Sequence, residues 1–346
     1  PPPLQGAYPM SITRYVMRRL LYMVPVLIGV SILTFALAYL VPGDPARLAA
    51  GPQATPEMYE QLRAEFGLDD PLPVQYVSYV TGLVQGDWGD SILSRRPVLA
   101  DLRQFWPATF ELVVVAMTIA TLVGMPLGIL AAVRADSMAD HASRVISLLG
   151  VSMPAFWLAL LMQLLFGLKL DWLPVSGRLP TLSAPPESIT GLYLVDSLLA
   201  GDWALFIEAL RHIILPALTL SFASLATIAR FTRASLLDVL HNDYIRTARA
   251  KGLTNRRVVI RHALRNAFIP TLTMIGLSFG WSMGGSVLVE TVFDWPGIGL
   301  YATKSAMTLD FMPIMGIALL YGLVFSIINI VVDITYGFLD PRVSRS

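Results

Sequence analysis

Long stretches without a charged residue alternate with polar stretches along the whole chain. A helix needs roughly 20 mostly apolar residues to cross a hydrocarbon core of about 30 Å. Such stretches occur at residues 20–43, 112–133, 145–168, 213–229, 266–289 and 311–332. The fourth is short, and we expect Arg211, His212 and Arg230 to extend it, because their side chains can reach the membrane surface. The pattern predicts an all-α polytopic membrane protein with six transmembrane helices and both ends on one side.

The segment between the first two stretches, residues 44–111, is too long for a simple connection and is predicted to form a small helical subdomain. It opens with the turn sequence Pro-Gly-Asp-Pro at 42–45. Thr55 is a suitable N-cap for a helix that starts at the following proline, and Gly67 is suited to end that helix. A second turn is predicted at 85–91, where glycine and aspartate cluster.

A shorter apolar stretch lies at residues 192–199, within the polar segment 171–211. Asp196 interrupts it and Asp202 follows it, and the stretch is too short to cross a membrane. We therefore expect an outer amphipathic helix that rests on the bilayer surface or on a partner protein.

Positive charge is concentrated in the N-terminal flank, the C-terminal tail and two of the polar segments, 134–144 and 230–265. The segment 230–265 carries nine basic residues against two acidic ones, whereas residues 44–107 carry five basic residues against nine acidic ones. Lysine and arginine are enriched in the cytoplasmic loops of membrane proteins. The distribution therefore predicts cytoplasmic termini and places the segments 44–111 and 171–211 outside.

The most basic part of the chain lies between the fourth and fifth apolar stretches and is predicted to form two helices joined by a glycine elbow. Asn242 or Asp243 can cap the first helix, because their side chains accept hydrogen bonds from free backbone N–H groups. Gly252 can end this helix in the left-handed conformation. Thr254 can cap the second helix, which is expected to reach the next transmembrane stretch at Pro270.

This pattern resembles the cytoplasmic EAA loop of permease subunits in binding-protein-dependent ABC importers. The family signature is Glu-Ala-Ala, three further residues, a glycine, and a closing hydrophobic residue followed by proline. Here Arg-Thr-Ala at 246–248 occupies the Glu-Ala-Ala position, Gly252 is the glycine, and Ile-Pro at 269–270 forms the end. The glutamate is absent. The form found here is similar to the peptide/nickel branch of the family, and the dipeptide permeases are the nearest resemblance.

Other motifs extend the resemblance over nearly the whole chain, at 42–45, 86–89, 329–333 and 340–342. The resemblance implies a helix bundle like that of type I importer permeases, in the bacterial inner membrane. It implies an assembly with a second homologous permease, two ATPase subunits and an extracytoplasmic solute-binding protein, with a short peptide as cargo. ATP and Mg²⁺ would be bound by the ATPase subunits. The implied contacts with an ATPase are Tyr244, Arg246, Thr247, Ala248, Arg249, Lys251, Gly252 and Leu253.

The chain can be divided into parts on this basis. Residues 1–9 precede Met10, the expected natural start, and are interpreted as an expression remnant or an upstream extension. The parts are a remnant and cytoplasmic flank (1–19), the first span (20–43), the extracytoplasmic subdomain (44–111), a five-span permease core (112–340) and a cytoplasmic tail (341–346).

The chain carries no recognisable motif for chemistry of its own. A Walker A loop needs glycines followed by Gly-Lys-Ser/Thr, and none of Lys169, Lys251 and Lys304 has that setting. There is no His-Glu-x-x-His pair and no cysteine, and the four histidines are scattered. We therefore expect a non-catalytic subunit that holds no cofactor or metal, contacts lipid and protein, and binds no nucleic acid.

Small residues recur every four positions in the fifth apolar stretch, at Gly276, Gly280 and Gly284, with Ser278 beside them. Small residues at this spacing let helices approach closely. Helix packing is therefore the preferred interpretation, and a smooth wall of a substrate path is the alternative.

Two polar residues, Asn329 and Asp333, lie on one face of the sixth stretch near its cytoplasmic end. An ionisable residue within a membrane is a functional candidate by default. Asp333 is close enough to the interface to cap a helix or pair with a basic cytoplasmic residue, and we prefer this structural role.

Rival functions remain open at this point. Glutathione, an opine, a longer peptide or a nickel complex are alternative cargoes of the same importer class. A gradient-driven secondary transporter would be expected to show acidic residues inside the spans or broken helices, and the sequence shows neither clearly. A membrane-embedded enzyme would need a catalytic constellation, which the sequence does not reveal.

Overall fold

The computed structural model describes residues 12–40, 45–51, 54–65 and 67–339, and the regular secondary structure in these ranges is helical. The α-helices are α1 (Ile12–Leu40), α2 (Pro45–Ala50), α3 (Pro56–Glu65), α4 (Leu72–Gln85), α5 (Val98–Val133), α6 (Met138–Ser152), α7 (Ala155–Met162), α8 (Tyr193–Leu199), α9 (Trp203–Leu240), α10 (Asp243–Ala250), α11 (Asn255–Arg257), α12 (Leu264–Val292), α13 (Ile298–Met307) and α14 (Phe311–Leu339). The π-helices Gln163–Lys169 and Val258–Ala263 follow α7 and α11. The predicted all-α polytopic fold is confirmed.

Five helices within the described ranges are long and apolar enough to cross a membrane, and they lie in α1, α5, α9, α11–α12 and α14. Counting α6 and α7 as one span gives six, but this pair is bent by 105° at the break between them. The span predicted at 145–168 is therefore a bent pair of helices rather than one straight helix. Pro154 explains the break, because it has no N–H to donate and keeps the preceding Met153 out of the helical region.

The fourth predicted span, at 213–229, is much longer in the structure, where α9 runs unbroken from Trp203 to Leu240. α9 is the central helix, since α5, α6 and α12 all pack against it. Its most apolar window is 72% buried inside the protein. Protein rather than lipid surrounds much of α9, so charged residues such as Arg211 and Arg230 do not mark its ends.

Two glycines of α5 allow a close approach to α9. A Cβ atom at Gly124 would lie 2.7 Å from the Leu225 carbonyl oxygen, and one at Gly128 would lie 2.5 Å from that of Ala229. Any side chain at these positions would push the two helices apart. Buried apolar side chains of α5, α9 and α12 form the main core beside this contact.

The outer segment between α1 and α5 contains α2, α3 and α4. α3 starts after Thr55 as predicted, and the Thr55 hydroxyl accepts a hydrogen bond of 3.3 Å from the backbone N–H three residues later. The turn after α4 is also confirmed, because Gly86 and Gly89 adopt φ angles of +88° and +74°. The motifs predicted at 42–45 and 340–342 lie largely outside the described residues.

Two buried aspartates attach the segment before α5 to the rest of the chain, and the Ser94 hydroxyl of this segment donates to the second of them, Asp101. Asp310, just before α14, accepts a hydrogen bond of 2.6 Å from the Ser91 hydroxyl. Asp101 in α5 accepts one of 2.8 Å from the Tyr301 hydroxyl in α13. Because α5 already begins at Val98, the boundary expected between outer subdomain and core falls inside a helix.

The helix predicted at 192–199 is present as α8, and its polar side is turned towards the rest of this chain. Asp196 and Ser197 are buried, and α8 packs against α9. Asp196 accepts hydrogen bonds from the Thr190 hydroxyl at 2.6 Å and the Gly191 N–H at 2.8 Å. Burial alone raises the pKa of Asp196, but these hydrogen bonds outweigh burial and hold the pKa below its ordinary value. The polar face of α8 thus makes its hydrogen bonds within this chain.

Candidate functional site

The short helix α10 and the elbow after it lie where the sequence places them. Asn242 stands at the N-cap of α10 in an extended conformation, but its side chain makes no capping hydrogen bond. Thr254 precedes α11 in the same way, so the predicted side-chain caps are wrong at both positions. Gly252 has a φ angle of +76°, and its N–H donates to the Arg249 carbonyl at 2.9 Å. This left-handed residue turns the chain back, and glycine adopts it at least cost.

α10 has one buried face and one exposed face. Ile245 and Ala248 belong to a buried cluster with side chains of α9 and the second π-helix. The exposed face carries Tyr244, Arg246, Thr247, Arg249 and Lys251. The resemblance places Ala248 and Leu253 among the ATPase contacts, but in the structure both residues hold this segment on the protein's own core.

A hydrogen bond joins α10 to α12, and a continuous helical path runs from the elbow into α12. The Asn266 side-chain amide donates to the Tyr244 hydroxyl at 2.8 Å. The second helix reaches Pro270 as predicted and continues beyond it, because the π-helix Val258–Ala263 leads into α12 and Pro270 lies inside α12. Proline is tolerated inside membrane helices where neighbouring groups satisfy the freed backbone. The elbow is therefore connected to a membrane-spanning helix without an intervening loop.

A buried carboxylate near the elbow links α6 to α9. Asp140 in α6 is fully buried and accepts two hydrogen bonds from Arg233 in α9, at 2.6 Å and 2.9 Å. Arg144, one turn further along α6, donates a third at 2.6 Å. The two parallel hydrogen bonds fix the relative orientation of the Asp140 and Arg233 side chains as well as the distance between them. The sequence analysis missed this cluster, although the spacing of Asp140 and Arg144 is that of an ion pair along one helix.

A second buried ion pair lies near the other end of the bundle. Arg178 donates to Glu111 at 2.6 Å, and the exposed fractions of their side chains are only 7% and 4%. The Arg178 guanidinium also lies 3.5 Å from the centre of the Tyr193 ring. Glu111 accepts a further hydrogen bond of 2.7 Å from the Leu194 N–H. The pair thus fastens the segment that contains α8 to α5.

A further buried acid corrects the expectation that the spans show no clear acidic residue. Glu290 in α12 has no exposed surface and accepts a hydrogen bond of 2.8 Å from the Thr109 hydroxyl. It also accepts from the N–H groups of Gly299 at 2.7 Å and Leu300 at 3.1 Å, at the start of α13. A carboxylate that accepts from a helix N-terminus is favourably placed. Glu290 therefore has a structural explanation and does not by itself indicate a proton path.

The glycines at every fourth position of α12 have different neighbours. A Cβ atom at Gly276 or Gly280 would collide with a valine or phenylalanine side chain of α14, whereas Gly284 has nothing within 4 Å. The first two glycines therefore face the contact between α12 and α14. Ser278 is buried and lines a cavity that also borders α6, α7 and α9.

The polar pair in α14 lies beside α1. Asp333 forms an ion pair of 2.9 Å with Arg19, and the exposed fraction of its side chain is 18%. Asn329 is half-buried one turn earlier on the same helix. The ion pair connects the first and last spans, which agrees with the structural role preferred for Asp333.

Two family models match most of the chain. The model described as "Binding-protein-dependent transport system inner membrane component" matches residues 124–345. The model for the N-terminal part of such membrane components matches residues 12–112. The first match alone covers more than half of the chain.

Individual relatives match over nearly the full length. The chain is 47% identical over 323 residues to the probable D,D-dipeptide transport system permease protein DdpB of Escherichia coli (strain K12), covering 93% of this chain and 95% of the relative. It is 43% identical over 333 residues to the dipeptide transport system permease protein DppB of the same strain, with coverages of 95% and 98%. It is 42% identical over 329 residues to the glutathione transport system permease protein GsiC of that strain, again with coverages of 95% and 98%. These matches, with the multi-pass bundle, show that the chain belongs to the family of inner membrane components of binding-protein-dependent transport systems.

Proposed function

We propose that this chain is a transmembrane permease subunit of an ATP-driven importer that carries dipeptides or short oligopeptides. The observation that supports the cargo is full-length identity of 47% and 43% to relatives that are named for dipeptides. Glutathione, itself a short peptide, is the second candidate, because a glutathione permease is 42% identical over a similar length.

The proposed assembly contains a second permease, two ATPase subunits and an extracytoplasmic solute-binding protein. The two permeases enclose the path, and the ATPases bind ATP and Mg²⁺. The exposed basic face of α10 docks on an ATPase, while Ile245 and Ala248 hold the other face against the bundle. Through the elbow at Gly252 and the helical path into α12, movement of the ATPase changes which side of the path is open.

The proposed orientation places both termini and α10 in the cytoplasm, and the segment before α5 outside. It rests on the excess of basic residues in the segment 230–265. Because the chain has no cysteine, single cysteines replacing Thr254 and Thr55 are expected to react from opposite sides of the membrane. Reaction of both with an impermeant reagent added outside would refute the orientation.

The cargo is tested with the complete complex in proteoliposomes, with the solute-binding protein added outside. Dipeptides are expected to stimulate ATP hydrolysis and to accumulate inside, and an unrelated sugar is expected to do neither. If glutathione accumulates and dipeptides do not, glutathione is the cargo. ATP hydrolysis by the purified chain alone, at the rate of the complex, would overturn the permease assignment.

A further inference from the structure

A cavity of about 230 Å³ opens beside the break between α6 and α7. Its walls come from the break itself, α9 and α12. Ser278 is the middle residue of α12, and Ser224 lies close to the middle of α9. The cavity is therefore near the centre of the membrane-spanning part of the bundle, where polar groups need partners inside the protein or in a water-filled space.

The break leaves backbone groups free at this depth. Met153 and Pro154 both have extended backbone conformations, with ψ angles of 126° and 132°. They interrupt the helical hydrogen bonds: the Leu149 carbonyl still accepts from the Met153 N–H at 3.0 Å, but the carbonyls after it and the first N–H groups of α7 lack helical partners. Irregular backbone at membrane depth is found where it is buried in protein or lines a water-filled cavity. Gly150 and Val151 of the last turn line this cavity.

A hydroxyl without a hydrogen-bond partner in the described chain also faces the cavity, from α12. Ser278 is only 3% exposed and lines the cavity, and its side chain makes no hydrogen bond with any described residue. Its neighbour Ser282 is paired with Ser224, with 3.2 Å between the two hydroxyl oxygens. The Ser278 hydroxyl is not one of the enclosed polar atoms that lack a partner, so it remains accessible from the cavity. The cavity thus offers a hydroxyl donor on one side and carbonyl acceptors on the other.

An aromatic side chain completes the cavity wall. Trp281 in α12 is 71% exposed, although α12 packs against α5, α7, α9, α13 and α14. Its ring offers a flat apolar surface to a side chain of varied shape. The cavity therefore combines fixed polar groups with one adaptable apolar surface.

We propose that this cavity binds the main chain of a peptide cargo as it crosses the membrane. The cargo amide N–H donates to the free carbonyls at the end of α6, and a cargo carbonyl accepts from the Ser278 hydroxyl. Cargo side chains lie against Trp281. Because the polar contacts are made to the main chain, peptides of different sequence fit equally. The inference rests on the proposed function and adds the groups that meet the cargo.

The first test removes the hydroxyl. Ser278→Ala in the reconstituted complex is expected to lower peptide uptake at saturating solute-binding protein about two- to tenfold, the range that one hydrogen bond supports. Thr271→Val is the matched control, since Thr271 is buried in the same helix but its hydroxyl donates to the Ala267 carbonyl instead. The control is expected to transport like the wild type. Equal uptake by Ser278→Ala and wild type would overturn the proposal.

The second test asks whether cargo reaches the cavity. In the Ser278→Cys variant, the introduced cysteine is the only one in the chain. Its reaction with a small membrane-permeant thiol reagent is followed in a complex whose other subunits lack cysteine. Peptide-loaded solute-binding protein is expected to slow labelling at least threefold relative to empty protein during ATP turnover. Equal labelling rates with loaded and empty protein would overturn the proposal. Labelling that is slowed by the second permease and not by peptide would show that Ser278 lies at a subunit interface instead. If the wild-type complex does not transport peptide at all, the proposal that peptide is the cargo is refuted together with the proposed site.

Discussion

Replacing Arg178 with methionine is expected to lower the free energy of unfolding by about 3–5 kcal/mol, because it leaves the buried Glu111 carboxylate without its ionic partner. Methionine keeps much of the length and the apolar contact of arginine, so the lost charge accounts for most of the effect. The measurement is thermal and denaturant unfolding of the purified protein in detergent. Residual fold is checked by size-exclusion chromatography.

Two controls separate burial from charge. The double variant Arg178→Met with Glu111→Gln removes both charges and is expected to recover much of the lost stability. Arg63 and Asp69 form a pair with the same 2.6 Å distance, but their side chains are 35% and 64% exposed. Arg63→Met is therefore expected to have a far smaller effect. Similar losses for Arg178→Met and Arg63→Met would show that the buried pair has no special role.

Gly252→Val is expected to abolish peptide uptake and cargo-stimulated ATP hydrolysis while leaving the bundle inserted. A Cβ at Gly252 would meet nothing within 4 Å, so the cost comes from the positive φ angle alone. Holding a β-branched residue in this conformation costs about 1–3 kcal/mol locally. The elbow would relax to another conformation and move α10 from its position on the core. Uptake and ATPase activity are measured in proteoliposomes, with assembly checked by co-purification.

Gly201 provides a matched control for this prediction. It also has a positive φ angle, +69°, and nothing within 4 Å of an added Cβ, but it lies between α8 and α9, away from α10. Gly201→Val imposes similar backbone strain on the proposed outer side and is expected to keep most of the transport. Wild-type uptake and cargo-stimulated ATPase in Gly252→Val would show that the segment around α10 is an ordinary basic loop.

Features that depend on a few neighbouring residues were predictable from the sequence. Thr55 marks the start of α3, and Gly252 marks the elbow after α10, because each position is determined by local backbone chemistry. The existence of the long apolar helices follows from the absence of charge. The ends of α9 do not follow in the same way, because much of this helix is surrounded by other helices rather than by lipid.

The buried ion pairs were not predictable in this way. Glu111 and Arg178 are 67 residues apart, and Asp140 and Arg233 are 93 residues apart. Nothing local to either partner identifies the other, since only the packed bundle brings them together. The candidate site was recognised by its spacing pattern, but which residues of α10 face inward depends on the same packing. Ala248 is the clearest case, because its small side chain fits the core as well as it would fit a partner.

The contact between α1 and α14 has a consequence for biosynthesis. α1 packs mainly against α14, and only 6% of its most apolar window is buried inside the protein. Ribosomes add roughly 5–20 residues per second, so synthesis of α14 begins roughly 14 to 54 seconds after α1 is complete. During this interval α1 must remain in the lipid by its own hydrophobicity, without its docking surface. The helix that is made first therefore gains its main packing partner only when the last helix is made.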